Sequence, residues 1–151
     1  MPSPILTDEY FMRQALAEAR RALAEGEIPI GAVVVLDNTI VGRGHNQTER
    51  LRDVTAHAEM LALSAAANFV GNKYLAACSL YVTIEPCVMC AGASAWAQVR
   101  QVVYGANEPK VGFRRHSPSL LHPRTQVRSG VLAAECAALM QDFFRDKRPV
   151  R

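Results

Sequence analysis

The chain has 151 residues, of which 50% are hydrophobic and 21% charged, and its formal net charge is +3. This composition excludes a disordered or collagen-like chain, and the length suits a single domain over residues 1–151 with a real core. It contains no run of 18 apolar residues, and its start lacks a basic stretch followed by an apolar core. We therefore expect neither a membrane span nor a signal peptide.

Hydrophobic periodicity and capping residues predict a regular succession of helices and strands. Thr7 and Thr55 are expected to cap helices, and Pro86 to open one. In chain order, the predictions are a helix over 7–25, strands over 32–36 and 39–43, a helix over 55–68, a strand over 80–84, a helix over 86–98, a strand over 101–105, a short strand near 125–127 and a helix from 129 or 130. Strands that alternate with helices predict a layered α/β fold with helices on the faces of the sheet.

The charge is distributed unevenly along the chain. Residues 1–98 carry 7 Lys and Arg against 10 Asp and Glu, whereas residues 99–151 carry 10 against 4, so the two parts have net charges of −3 and +6. A basic C-terminal third suits a polyanionic partner such as RNA. The alternative is an ordinary solvated basic face.

Two short segments concentrate residues that bind metals. His57 lies in the first, and Cys87 and Cys90 follow Pro86 in the second, three positions apart on one helix face. The helix dipole and the free N–H groups of a first helical turn stabilise thiolates. Two cysteines and one histidine make a three-ligand zinc site whose fourth position stays open, as in catalytic rather than structural zinc sites.

Glu59 is the predicted general acid and base of this site. It follows His57 by two residues, which is roughly 200° around a helix, so it is not expected to be a ligand from the same face. A carboxylate beside the open position can take a proton from water and give it to a leaving nitrogen. A lone C-x-x-C is often redox-active or half of a four-cysteine clip, but Cys78 and Cys136 have no partner at short spacing and are expected in the core.

The pattern H-x-E followed by P-C-x-x-C is the signature of zinc nucleobase deaminases. Beyond this motif, segments 28–35, 44–46, 53–59, 80–93 and 130–145 resemble the bacterial tRNA-specific adenosine deaminases, so the resemblance covers nearly the whole chain. It implies a cytidine deaminase-like three-layer α/β/α fold with a mixed five-stranded sheet. It also implies one Zn²⁺ per chain, a homodimer, a tRNA anticodon stem-loop as partner and a cytoplasmic location.

The resemblance further implies a role for individual residues. His57, Cys87 and Cys90 match the zinc ligands, and Glu59 matches the residue that transfers protons. Asn46 matches the asparagine that contacts the nucleoside, and Phe144 matches a helix that contacts the flanking nucleotides. The expected substrate-binding residues are Ile30, Asn46, Ala56, Ile84, Glu85, Pro86, Glu108 and Phe144.

Segment 106–124 departs from the family pattern: it is shorter, and it contains Glu108-Pro-Lys110-Val-Gly112 where the family has an acidic residue followed by Lys, by Thr or Ala, and by Gly-Ala. The leading interpretation is conversion of adenosine to inosine at the wobble position of a tRNA anticodon. The first alternative is deamination of a free nucleobase or nucleoside such as guanine, cytosine or a related amino-heterocycle. The second is a non-catalytic zinc-stabilised RNA-binding module, which Glu59 opposes because a structural site needs no proton shuttle.

Two side chains outside the motifs carry simple expectations. Trp96 is expected in the core or in a dimer interface rather than as a platform for base stacking. His45 is expected, like His116 and His122, to lie in a loop or on the surface.

Overall fold

The computed structural model describes residues 6–116 and 120–147, which form one five-stranded sheet and four α-helices. In chain order the elements are α1 (Asp8–Ala24), β1 (Gly31–Leu36), β2 (Thr39–His45), α2 (Ala58–Val70), β3 (Ser79–Ile84), α3 (Val88–Ala97), β4 (Gln101–Ala106), a 3-10 turn (Phe113–Arg115), β5 (Gln126–Arg128) and α4 (Ala133–Lys147). This is the predicted order, including the short fifth strand.

The sheet is mixed, with strand order β2-β1-β3-β4-β5. Strand β1 is antiparallel to both β2 and β3, whereas β3, β4 and β5 are parallel. One hydrophobic cluster joins the sheet to α1 and α4 through residues such as Leu16 and Cys136, and another joins it to α2 and α3 through Ala62 and Ala91. The three-layer α/β/α prediction is confirmed. The central strands β3 and β4 are buried along their whole length because helices cover both of their faces.

Helix α2 begins later than predicted. Thr55 does not cap it, because the backbone N–H and the hydroxyl of Thr55 both donate to the Asp53 carboxylate in a local turn. The N-cap residue is His57, with an extended backbone, and the first helical residue is Ala58. The imidazole therefore projects from the end of the helix rather than from its side.

Helix α3 differs from the prediction in the same way. Pro86 lies before the helix, Cys87 is the N-cap residue and Val88 is the first helical residue. Cys90 alone lies within the first turn. The last helix starts at Ala133 rather than at residue 129 or 130, since Gly130 has a φ of +83° that a helix does not accommodate.

Helix α2 lies unusually close to strand β2. A Cβ atom at Gly44 would lie 2.3 Å from the carbonyl oxygen of Ala58, and one at Gly42 would lie 2.4 Å from that of Ala62. Ordinary contact begins at 3.4 Å. The two glycines therefore set how near α2, with Glu59 in its first turn, approaches the sheet.

For two single side chains, the structure shows that the expectation for His45 is wrong and excludes the core alternative, but not the dimer-interface alternative, for Trp96. His45 is buried at the end of β2, where its ring pairs with Glu25 at 2.9 Å and with Glu18 at 3.5 Å. Trp96 is 84% exposed and is not part of the core. None of the helices that the structure describes combines the length and apolar character that a membrane crossing requires.

Candidate active site and metal centre

Three metal-binding side chains converge at the starts of α2 and α3. The Nδ1 atom of His57 lies 3.7 Å from the Sγ atom of Cys87 and 3.5 Å from that of Cys90. All three donor atoms lie within 4.8 Å of one another. Because His57 and Cys87 are both N-cap residues, their side chains point beyond the helix ends and meet between them.

This donor set fits a zinc ion. Tetrahedral zinc with a Zn–S distance of about 2.3 Å and a Zn–N distance of about 2.05 Å requires an S···N separation of about 3.6 Å. The separations of 3.5 Å and 3.7 Å bracket that value. Thiolate and imidazole are also the ligand types that select zinc. His57, Cys87 and Cys90 therefore supply three ligands and leave one position for water.

Hydrogen bonds among the three donor side chains shift their pKa values in different directions. A hydrogen bond from the Cys90 thiol is the main cause that lowers the pKa of Cys87 to about 4, and the His57 ring adds to it. The same hydrogen bond to Cys87, together with burial, raises the pKa of Cys90. The hydrogen bond to Cys87 also raises the pKa of His57. The lowered pKa favours the thiolate of Cys87, the form of cysteine that binds metal.

Glu59 lies in the first turn of α2, beside the metal ligands, and only 4% of its surface is exposed. Burial raises the pKa of its carboxyl group to about 7. A carboxyl group with such a pKa can both accept and donate a proton near neutral pH, which suits a general acid and base.

The site opens into a cavity of about 270 Å³. Its lining includes His57, Glu59 and Cys87, so the cavity reaches the candidate metal centre. The lining residues are Ile28, Ile30, Asn46, Thr48, His57, Ala58, Glu59, Ile84, Glu85, Cys87, Glu108, Val111, Met140 and Phe144. The structure thus brings six of the eight expected substrate-binding residues to one cavity.

Ala56 and Pro86 are the two that do not line the cavity in the described part of the chain. Ala56 is buried, and its carbonyl accepts a hydrogen bond from the Gln47 N–H group. The Pro86 carbonyl accepts one from Phe113. Both backbone groups already stabilise loops, and their expected contact with substrate stays a prediction.

Five lining residues were not expected from the sequence: Ile28, Thr48, Ala58, Val111 and Met140. Helical spacing could have predicted that Met140 lines the cavity, because Met140 precedes Phe144 by four residues and the two share one face of α4. Val111 and Thr48 lie in loops, where no periodicity indicates the direction of a side chain.

A buried carboxylate supports the Asn46 side of the cavity. Glu27, which is 1% exposed, accepts hydrogen bonds from the backbone N–H groups of Glu49 at 3.1 Å and Arg50 at 2.8 Å. The Asn46 N–H group donates to the Ile30 carbonyl at 3.1 Å. These bonds fix the loop that presents the Asn46 amide to the cavity.

The zinc-binding region of the cytidine and deoxycytidylate deaminases matches residues 6–106 of this chain. That range contains the three metal-binding side chains and Glu59. The fold and the site thus define a zinc-dependent deaminase, with His57, Cys87 and Cys90 as its candidate ligands.

Curated relatives indicate which family of zinc-dependent deaminases the chain belongs to. The tRNA-specific adenosine deaminase of Streptococcus pyogenes serotype M18 is 45% identical over 98% of this chain and 96% of its own length. That of Bacillus subtilis is 42% identical over 93% of this chain and 91% of its own. The chain belongs to the family of tRNA-specific adenosine deaminases.

Solved structures agree with this assignment. A tRNA:A34 deaminase, solved in a study of A-to-I editing at the wobble position of transfer RNA, is 42% identical and superposes with a TM-score of 0.81, over 86% of this chain and 98% of that one. The guanine deaminase of Nitrosomonas europaea has a similar TM-score of 0.82, over 95% of this chain and 87% of that one, but only 28% identity.

Proposed function

We propose that this chain is a single zinc-dependent deaminase domain that hydrolyses adenosine to inosine at the wobble position of a tRNA anticodon. The observation that carries the proposal is the cavity of about 270 Å³, in which the metal centre and Glu59 meet a mostly apolar wall. This volume lies near the lower limit of ligand pockets, about 300 Å³, and so suits one small group such as a nucleobase rather than a larger ligand. Near full-length similarity to tRNA-specific deaminases supports the choice of substrate.

In this mechanism Glu59 moves the protons. His57, Cys87 and Cys90 would hold the zinc ion, which when bound lowers the pKa of water and so supplies a nucleophile near neutral pH. Glu59 accepts a proton from the attacking water and passes it to N1 of the purine as the C6–O bond forms. It then transfers the second proton of that water to the amino group, the C6–N bond breaks, and ammonia leaves with inosine as product.

The cavity walls orient the base. Ile30 and Ile84 lie on the wall and offer apolar surface for the faces of the base, whereas the Asn46 amide offers both a donor and an acceptor. Phe144 lines the cavity and is still 46% exposed. An aromatic ring in that position can stack on a neighbouring nucleotide, since unpaired RNA bases are recognised by stacking. A base in an anticodon loop also costs less to displace into a pocket than a paired base.

The RNA partner we propose is the anticodon stem-loop. Two exposed cations lie close in sequence to the cavity residue Val111, namely Lys110 and Arg115. Substitution of one such cation by alanine should remove one ion pair with a phosphate and flatten the slope of log affinity against log salt by about 0.7 for single-stranded RNA. An unchanged slope would mean that these cations form only a solvated face.

We also infer a homodimer in the cytoplasm. Trp96 is 84% exposed, and Tyr74 and Val88 are more than 40% exposed. Trp96 and Tyr74 share a shallow cleft with Lys73, Ala93 and Ala97. Exposed aromatic side chains around small apolar residues are typical of protein interfaces. Light scattering should give twice the mass of the chain, and Trp96→Lys should give the mass of a monomer.

One experiment tests the substrate. Purified, zinc-loaded protein is incubated with an anticodon stem-loop carrying adenosine at the wobble position and, separately, with guanine, cytosine and adenosine. Inosine in the RNA, with an equal amount of ammonia and no turnover of the free compounds, is the expected result. Turnover of guanine without RNA deamination would instead favour the free-base function, for which the fold similarity to guanine deaminase is the supporting observation.

A further inference from the structure

The carboxylate of Glu85 accepts two hydrogen bonds from a single segment beyond β4. Its Oε1 atom accepts from the backbone N–H group of Glu108 at 3.1 Å, and its Oε2 atom accepts from that of Arg114 at 2.9 Å. Only 6% of Glu85 is exposed. Both oxygens are thus engaged by the backbone of segment 108–114, which lies within the part of the chain that departs from the family pattern.

The segment is built closely around this carboxylate. The Gly112 N–H group donates to the Glu108 carbonyl at 2.9 Å, and the Phe113 N–H group donates to the Pro86 carbonyl at 2.9 Å. Gly112 also pairs with Cys87 in an isolated antiparallel bridge. A Cβ atom at Gly112 would lie 2.2 Å from the Glu85 carboxylate and 2.4 Å from the Glu108 carbonyl oxygen. Glycine at this position is what allows the segment to close over the carboxylate.

The Arg114 side chain ties the segment to the core at a second point. Its guanidinium group donates to the hydroxyl of the fully buried Tyr104 at 3.1 Å. The ring of Phe113 packs edge-on against the same tyrosine, with the ring centroids 6.2 Å apart. Contacts with the buried residues Glu85 and Tyr104 therefore hold the segment at several points, although it contains little regular secondary structure.

This segment forms one wall of the substrate cavity. Glu108 and Val111 both line it, while Val111 remains 59% exposed. Neither residue is part of the candidate metal centre. Gly112 pairs with the backbone of Cys87, but Glu59 lies on α2, so a change in the position of the segment should alter how substrate is held more than it alters proton transfer.

We propose that Glu85 is a positioning residue whose carboxylate fixes segment 108–114 as the substrate-facing wall. The resemblance of the sequence to its family implies a contact with substrate, and the positioning role proposed for Glu85 rests instead on the hydrogen bond that each of its oxygens accepts from a backbone N–H group. The inference rests on the proposed function for the identity of the substrate, but the contacts of Glu85 do not depend on that identity.

Glu85→Gln is the sharpest substitution, because it keeps the shape of the side chain and changes its hydrogen bonding. A carboxylate accepts on both oxygens, whereas an amide accepts on one atom and donates from the other. One of the two backbone N–H groups would then face a donor. Glu9→Gln on the exposed surface of α1 is the matched control, since it removes the same charge away from the cavity.

The test combines amide hydrogen exchange, resolved by residue, with steady-state kinetics on the anticodon stem-loop. For Glu85→Gln we expect the amide of Glu108 or Arg114 to exchange at least tenfold faster, with strands β3 and β4 still protected. We expect KM to rise by about tenfold, the change that about 1.4 kcal/mol of lost binding energy produces. The value of kcat should stay within about threefold and the zinc content should be unchanged. Unchanged exchange at both amides, or a fall in kcat at constant KM, would overturn the proposal.

A second variant disrupts the contact between Glu85 and segment 108–114 through a change in the segment itself. Gly112→Ala should separate the segment from the carboxylate and reproduce the effects of Glu85→Gln on exchange and KM. Gly92→Ala is its matched control, because a Cβ atom there meets nothing within 4 Å. The combined variant Glu85→Gln/Gly112→Ala should be little worse than either single variant, since both disrupt one contact. Independent, multiplying effects on KM would overturn the proposal.

The exchange measurement needs no RNA, and it separates this inference from the proposed function. If the parent protein fails to deaminate RNA, the proposed function is wrong, while faster exchange in Glu85→Gln still supports the positioning role. If the parent deaminates RNA and the exchange is unchanged in both variants, the positioning role is wrong and the proposed function stands. Should Glu85→Gln not fold, Gly112→Ala decides the question alone.

Discussion

Gly44→Ala tests how closely catalysis depends on the approach of α2 to the sheet. Gly44 lies in β2, where it pairs with Ala32 of β1. The added Cβ atom would lie 2.3 Å from the Ala58 carbonyl oxygen and 2.7 Å from the Ala62 backbone nitrogen. Both atoms belong to the α2 backbone, so no side-chain rotation relieves the overlap.

The size of the displacement follows from these distances. Ordinary contact begins at 3.4 Å, so β2 and α2 must separate by about 1 Å at this point. If α2 moves, His57 and Glu59 move away from the two cysteines, and if β2 moves, Asn46 moves with it. A misplacement of about 1 Å can cost about 10²-fold in rate. Overpacking of this kind also costs about 1–3 kcal/mol of stability.

The assay is kcat for ammonia release by zinc-loaded protein, with the thermal midpoint and zinc content measured on the same samples. Gly42→Ala is the informative comparison, because its Cβ atom would lie 2.4 Å from the Ala62 carbonyl, one helical turn further from the site. Gly42→Ala should cost similar stability and less activity, whereas Gly92→Ala, in the interior of α3, should lower neither stability nor activity. A folded, zinc-loaded Gly44→Ala protein with kcat within threefold of the parent would refute the argument.

Three further outcomes are expected. Glu59→Gln should keep the fold and the zinc but lower kcat by about 10²–10⁴-fold, the usual worth of a proton shuttle; turnover close to that of the parent would contradict its role. Elemental analysis should find about one zinc per chain in the parent and none in Cys90→Ala. The thermal midpoint of this variant should also fall, because the zinc ligands join two helices. Stoichiometric zinc in Cys90→Ala would contradict the ligand assignment. Asp8→Asn should lower the thermal midpoint at pH 7, and the difference from the parent should shrink as the pH falls below about 4. Burial opposes the ionisation of Asp8, but hydrogen bonds from Arg128 and Tyr81 outweigh it and hold its pKa below the ordinary 3.8, so the stabilisation exists above that pH and is lost as the pH falls through the lowered pKa. Melting curves for the parent and for Asp8→Asn that stay equally far apart at pH 3 would show that this carboxylate is not the cause.

The order of helices and strands could be predicted because the signals are local. Thr7 caps α1 as expected, its hydroxyl accepting a hydrogen bond from the Tyr10 N–H group at 3.2 Å. The alternation of apolar and capping residues reports on neighbours within a few positions, and those neighbours determine helix or strand. The first residue of a helix is harder to predict, because the N-cap position depends on which polar side chain accepts hydrogen bonds from the free backbone N–H groups. Thr55 does not cap α2, since its own N–H group donates to the Asp53 carboxylate.

The candidate metal ligands could also be predicted, for a similar reason. Cys87 and Cys90 are close in sequence, and the combination with His57 and Glu59 has few other chemical uses. What the sequence could not give is the separation between His57 and the cysteines, which are 30 and 33 positions away. That separation is set by the packing of α2 and α3 on the same face of the sheet.

Burial and long-range hydrogen bonds were decided by the tertiary structure alone. The sequence predicted His45 in a loop or on the surface, whereas it ends β2, and its burial against Glu18 and Glu25 depends on the position of α1. The sequence likewise placed Glu85 next to the metal-binding cysteines, whereas its partners lie 23 and 29 residues further along the chain. The sequence specifies which residues lie near a side chain along the chain, but its contacts with distant residues depend on how the helices pack on the sheet.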